Sequence, residues 1–336
     1  MAAVNARSDA PHPPARAARR LALTALAAPW ALHRAACIVA AAVALMLSMP
    51  AQAKAPSRAA TPGAAPALSA SSLKADCALL ARVLPRVSAP QCEAAGLQGS
   101  GAKSVQGFAL YQRDVVAGST ALQAVPISTT SKPRRRVLVI GGIHGDELSS
   151  SSLVFRWIAL AADHPADTDW RFVPVVNPDG LLQKQPSRTN ARGVDLNRNF
   201  PTPDWSAEAR KHWVDRTKKD PRRFPGAQPL SEPESRFVVD TIERWKPDLV
   251  VSVHAPYGVL DYDGPSVPPQ RLGRLFLDRV GIFPGSLGNY GGVHQGVPVV
   301  TIELPSAELT PTEAEMRQIW LDLLRWTAER LPLRDR

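Results

Sequence analysis

His144, Glu147, His254 and Glu303 each stand at or just beyond the end of a short apolar run. His144 and Glu147 follow Arg136 to Ile140 and a Gly-Gly pair, in the stretch RVLVIGGIHGDE. A His-x-x-Glu pair alone is weak evidence, because a chain with seven His readily contains one by chance. His254 strengthens it by ending the β-branched run Val250-Val251-Ser252-Val253, although an ordinary core histidine is the competing explanation there. Two imidazoles and a carboxylate, with one position left for water, form the donor set of a catalytic zinc. Their borderline softness suits zinc better than magnesium or calcium. The expectation is one zinc per chain on His144, Glu147 and His254.

The densest polar stretch lies between these residues, at Arg188-Thr189-Asn190-Ala191-Arg192-Gly193-Val194-Asp195-Leu196-Asn197-Arg198-Asn199-Phe200. Asn and Arg side by side can grip a carboxylate, the Arg by a bidentate charge-assisted pair. Asp195 could instead orient a metal-bound imidazole through its second nitrogen. A solvated turn would use the same residue types.

The elements that must position these groups follow from periodicity. Runs 136–140, 170–176, 249–254 and 299–304 are rich in Val or Ile and read as strands buried on both faces. Segments 147–162, 232–245, 269–280 and 312–331 carry apolar residues at helical spacing, with Ser231 and Thr310 as helix-start caps. Strands alternating with helices imply an α/β fold, a mostly parallel mixed sheet with helices on both faces, in a single catalytic domain. In such sheets ligands bind beyond the carboxyl ends of the strands, where the four residues fall.

The 336 residues are 45% hydrophobic and 21% charged, which excludes a disordered or fibrous chain. Residues 1–53 read as an export signal: Arg7, Arg16, Arg19, Arg20 and Arg34 precede and flank an apolar run ending at Met49, before the small-residue site Ala51-Gln52-Ala53. Cleavage after Ala53 would place the protein in the periplasm. An uncleaved membrane anchor is the alternative, although the apolar run is shorter than the ~20 residues that span a bilayer. Residues 54–70 are Ala/Pro/Ser-rich and expected to be a disordered linker, 71–103 an N-terminal segment, and 104–336 the catalytic domain. Removing the first 53 residues lowers the formal charge from +10 to about +6. No aromatic-interleaved basic stripe points to nucleic acid. The basic runs 132–136 and 210–223 read as solvated faces, with long-range steering of anionic peptides as the alternative for 210–223. Cys77 and Cys92 remain as an even pair, expected to form a disulfide in an oxidising compartment, with two small buried hydrophobes as the alternative.

His144-Gly-Asp-Glu147, Arg188-Thr-Asn, Asp195-Leu-Asn197-Arg198-Asn199, Ser252-Val-His254 and Thr301-Ile-Glu303 together resemble the zinc metallocarboxypeptidases related to carboxypeptidase A, in the family's order. The resemblance implies zinc on His144, Glu147 and His254, with Asp195 behind His144. It makes Arg188 the polariser of the scissile carbonyl, Asn197 and Arg198 the clamp on the substrate carboxylate, and Glu303 the general base and acid. Segments 254–265 and 284–292 look like the murein peptide amidase A branch, whose members cleave γ-D-glutamyl-meso-diaminopimelate in cell-wall peptides. Tyr290 is the candidate for the family's mobile tyrosine. The implied partner is a muropeptide. Alternatives are a general zinc carboxypeptidase, a deacylase of N-acyl amino acids, and a non-catalytic wall-peptide-binding relative. The last would have no use for Glu303.

Overall fold

The computed structural model of the chain describes residues 70–117, 134–163 and 167–334. The expected signal at 1–53 and linker at 54–70 lie outside them, apart from Ala70, which opens the first helix. The elements run α1 (Ala70–Val83), α2 (Ala89–Ala94), β1 (Gln98–Lys103), β2 (Ala109–Val115), β3 (Arg135–Ile140), α3 (Leu148–Asp163), β4 (Thr168–Val173) and α4 (Pro178–Leu181). There follow α5 (Trp205–Asp215), α6 (Pro233–Trp245), β5 (Leu249–His254), β6 (Leu260–Asp263), β7 (Arg271–Leu272), β8 (Leu275–Phe276), β9 (Val299–Glu303) and α7 (Glu313–Arg330).

Seven strands form one mixed sheet in the order β1-β2-β4-β3-β5-β9-β6. The four inner strands are mutually parallel, and antiparallel strands close both edges. Alternate side chains of β3 enter two separate cores: Val137 and Val139 pack on one side, Leu138 and Ile140 on the other. Helices α3 and α7 cover the first face, with Trp157, Trp170, Phe172 and Trp320 in mutual ring contact. Helix α6 covers the second through Phe237, Val238 and Ile242.

Several expectations need correction. Segment 269–280 is not a helix: Leu272 and Leu275, whose spacing looks helical, pair across a Gly273-Arg274 turn as the hairpin β7–β8. Helix α7 is capped by Thr312 rather than Thr310, because Glu315 lies where a capping box needs it. In α6 the cap position falls on Glu232, ahead of Pro233, and the Ser231 hydroxyl donates to the Glu232 carboxylate instead. Residues 71–103 do not stand apart from the domain. Cys77, Leu80, Leu84, Val87 and Leu97 enter the first core, and β1 extends the sheet. A disulfide joins Cys77 to Cys92, with Cα atoms 5.5 Å apart. Of the run 132–136, residues 132 and 133 lie outside the described residues and the rest is no solvated face: Arg135 is buried and donates to the Leu331 and Ala328 carbonyls, while Arg134 pairs with Asp169 at 3.2 Å.

Among the described residues no helix is long and apolar enough to cross a membrane.

Candidate active site

The chain leaves β3 for β4 on one side and then crosses to β5 on the other, so the sheet's switch point falls at the carboxyl ends of β3 and β5. His144 and Glu147 lie in the turn after β3, and His254 is the last residue of β5. The turn must run flat against the neighbouring loop. A Cβ on Gly145 would lie 2.4 Å from the backbone at Gly180 and Leu181, so only glycine permits that approach.

The candidate ligand atoms of His144, Glu147 and His254 all lie within 4.8 Å of one another, and all three residues are buried. His144 Nδ1 is 2.7 Å from Glu147 Oε1, and His254 Nδ1 is 3.0 Å from Glu147 Oε2. The far nitrogen of each ring is also held, His144 Nε2 by Asp195 Oδ1 at 3.1 Å and His254 Nε2 by Ser252 Oγ at 3.0 Å. Two oriented imidazoles sharing one carboxylate, each with an outer partner on its other nitrogen, fit zinc.

Electrostatics reinforce the arrangement. Burial alone would raise the Glu147 carboxyl, yet His144 and His254 hold it well below the usual carboxylate range. Burial and Arg188 oppose protonation of His144, but Glu147 and Asp195 outweigh them and raise its pKa. Asp195 is fully buried and, despite that burial, is held ionised by Arg188 and His144. It fixes Arg188 through Nε at 3.0 Å, while Arg188 NH1 faces His144 Nδ1 at 3.2 Å.

Glu303 ends β9 as the register partner of His254 on β5, so the two side chains share one sheet face. Its Oε2 is buried without a hydrogen-bond partner, and burial raises its pKa, with Glu147 adding to the effect and His254 opposing it. A carboxyl in that state is suited to taking and returning a proton. Arg198 is buried with its guanidinium 4.3 Å above the Phe283 ring and NH1 donating to the Asn197 carbonyl. Burial, with Arg188 and Arg223 adding to it, lowers its pKa to about 10, which leaves it cationic at neutral pH. Among the described residues it has no carboxylate within ion-pair distance. Asn197 borders the same cleft, its side-chain oxygen accepting from the Leu287 N–H.

These groups open onto one cleft of about 640 Å³. Tyr290 is not among them: it is buried in the second core, stacked on Phe200, and its hydroxyl donates to Glu243. Its apolar surroundings, and not the loop position, decide its role. Two features of the cleft were assigned no site role by the sequence. The basic run 210–223 ends in the cleft wall, where Arg222 bridges Asp146 at 2.7 Å and Arg223 lies beside it, so its end is no free solvated face. Asp261 and Asp263 also line the cleft, on a strand of four residues too short to stand out by period.

The family model described as zinc carboxypeptidase (Peptidase_M14) matches residues 100–265. Murein peptide amidase A of Escherichia coli (strain K12) is 32% identical over 200 residues, which is 57% of this chain and 81% of the relative. The protein of the same name from Vibrio campbellii (strain ATCC BAA-1116) is 33% identical over 184 residues, 52% of this chain and 72% of the relative. The crystal structure of carboxypeptidase A from Helicoverpa armigera superposes with a TM-score of 0.51 at 18% identity, over 75% of this chain and 69% of that one, a likeness of fold. With the His, Glu, His cluster standing where such a sheet places its ligand, the chain belongs to the zinc carboxypeptidase family of metallopeptidases.

Proposed function

We propose that this chain is an exported zinc amidase that cleaves the bond between γ-D-glutamate and meso-diaminopimelate in cell-wall peptides. The observation that carries the hydrolytic reading is the partnerless Glu303 Oε2 on the same sheet face as His254, beside His144 and Glu147. The choice of wall peptides is supported by the two murein peptide amidase relatives and by Arg198, a cation lining the cleft with no ion-pair partner among the described residues, which can receive a substrate carboxylate.

His144, Glu147 and His254 would hold the zinc, and Asp195 and Ser252 would keep the two imidazoles in the required tautomer. When bound, zinc supplies a water of lowered pKa and polarises the scissile carbonyl. Glu303 accepts the proton released as the amide carbon is attacked and returns it to the departing amine. Arg188, aimed at the cluster by Asp195, donates to the developing oxyanion, a role whose loss typically costs about 100- to 1000-fold in rate. Arg198 and Asn197 align the substrate through its carboxylate, turning binding energy into position. Export is supported by the signal-like residues 1–53 and by the Cys77–Cys92 disulfide.

The test is to incubate the protein with L-Ala-γ-D-Glu-meso-diaminopimelate, with and without chelator, and identify products by mass. Chelator-sensitive release of diaminopimelate is expected, and Glu303→Gln should retain zinc while losing roughly 100- to 10,000-fold in turnover. Release only of ordinary C-terminal residues from peptides would overturn the amidase reading in favour of a general carboxypeptidase. Preferred turnover of small N-acyl amino acids would overturn it in favour of a deacylase.

A further inference from the structure

The face of the sheet that carries His254 and Glu303 continues toward the edge. In the β5–β9 register Ser252 lies beside Thr301 and His254 beside Glu303; in the β9–β6 register Asp261 lies beside Thr301 and Asp263 beside Val299. Register partners share a face, so Asp261 and Asp263 project on the same side as Glu303 and line the same cleft. Both are buried, at 6% and 9% exposure.

The two carboxylates differ in how they are satisfied. Asp261 accepts from its neighbour Tyr262 N–H at 2.8 Å and from the backbone at Val280 and Gly281. Asp263 accepts no side-chain hydrogen bond among the described residues. The charges acting on it are Asp261, of like sign, and the guanidinium of Arg279, which makes no ion pair among the described residues. Burial and Asp261 push its pKa up to about 6, the sign of a carboxylate short of a cation. The backbone packs closely beside it: a Cβ on Gly292 would lie 2.4 Å from the Asp263 carbonyl oxygen, an approach that only glycine permits. A carboxylate that opens onto a cleft and accepts from no side chain marks a place for a ligand's donor.

A metal ion does not suit the place. Two carboxylates, one already occupied by backbone donors, fall short of the six to eight oxygens calcium takes. An ammonium, with three donors and a full charge, suits it well. Asp263 lies four residues along the sheet from the position of Glu303, about 13 Å at ~3.3 Å per residue. Two hydrogen bonds of about 2.8 Å take up under half of that distance, and a side chain of lysine length spans the remainder.

We propose that Asp263 is a specificity residue of this cleft: it receives the side-chain ammonium of the residue released by cleavage, while Arg279 at the rim receives a carboxylate on the same carbon. The inference rests on the amidase reading and names its substrate class, a residue whose side chain ends in its own amino and carboxyl groups. Asp261 acts as a positioning residue, tying the Val280–Gly281 backbone, and so the loop that carries Arg279, to the strand.

The experiment compares kcat/KM for L-Ala-γ-D-Glu peptides ending in meso-diaminopimelate, lysine or norleucine, in the wild type, Asp263→Asn and Arg279→Gln. In Asp263→Asn the preference for diaminopimelate over norleucine should fall by about 10- to 150-fold, the usual worth of a hydrogen bond to a charged group, chiefly through KM. In Arg279→Gln the preference for diaminopimelate over lysine should fall. Unchanged ratios, with all substrates affected alike, would overturn the proposal while leaving the amidase reading intact. Should the wild type cleave none of the peptides, that reading fails on its own, and calorimetric titration with free meso-diaminopimelate still decides the pocket. Weaker binding to Asp263→Asn supports it, and equal or absent binding overturns it.

Discussion

A carboxylate whose pKa is raised in the folded state should show itself in the pH dependence of stability. The folded pKa of Asp263, raised to about 6 by burial and Asp261 against the opposing Arg279, exceeds its ordinary 3.8, so the folded state binds the proton more tightly than the unfolded one. Its contribution therefore favours folding below about pH 4 and is lost as pH rises through about 6. Asp263→Asn lacks that titration. In thermal melts across this window the variant should gain on the wild type as pH rises, ending more stable at about pH 7 and losing its advantage near pH 4. Parallel curves would mean the carboxylate is satisfied after all. The same residue marks the limit of what the sequence discloses. His144, Glu147, His254 and Glu303 are legible because each ends or closely follows a strand that reads clearly, so position and chemistry coincide. Asp263 lies on a strand of four residues, Leu260–Asp263, whose pairing with β9 no local pattern announces. Tyr290 misleads for the opposite reason: a tyrosine in a Gly-rich stretch suggests a mobile loop, while packing against Phe200 puts it in the core.

At the scale of elements, the four inner strands are legible because burial on both faces demands unbroken Val, Ile and Leu runs. The edge strands are not. Strand β1, Gln98–Lys103, at the edge has no large apolar residue, and β2 beside it mixes Tyr111 with Gln112, Arg113 and Asp114, as antiparallel strands with one solvated face can. Helix α1 is legible only through its cysteine. Leu80 of α1 and Leu84 just beyond it reach the core that α3 and the sheet share, and the disulfide ties α1 to α2 in the unit that packs there. With Cys77 and Cys92 15 residues apart, the chain-entropy account assigns the bridge about 3 kcal/mol. Cys92→Ser should therefore lower the denaturant midpoint by a corresponding amount, and reductant should bring the wild type to the same value. A midpoint indifferent to both would show that α1 and α2 dock by packing alone.

For the whole molecule, net charge says less than where the charge lies. Arg198, Arg222 and Arg223 line one part of the cleft and Asp261 and Asp263 another, so the site carries both signs although the chain as a whole is basic. Such a cleft orients a substrate that is itself dipolar, with a backbone carboxylate for the arginines and a side-chain ammonium for the aspartates. A basic chain overall would mainly quicken the approach of anionic peptides, an effect that salt removes while the buried contacts persist. The setting in which it meets them depends on export. A Cys77–Cys92 bridge persists in an oxidising compartment, and residues 1–53 supply the Arg-flanked apolar run and the Ala-Gln-Ala site that signal processing uses. The processed chain should begin at Lys54, appear in the periplasmic fraction and show no free thiol under denaturing conditions until reductant is added. A cytoplasmic chain that keeps residues 1–53 and two reactive thiols beyond Cys37 would overturn export while leaving the zinc chemistry in place, because no group in the cleft depends on the bridge.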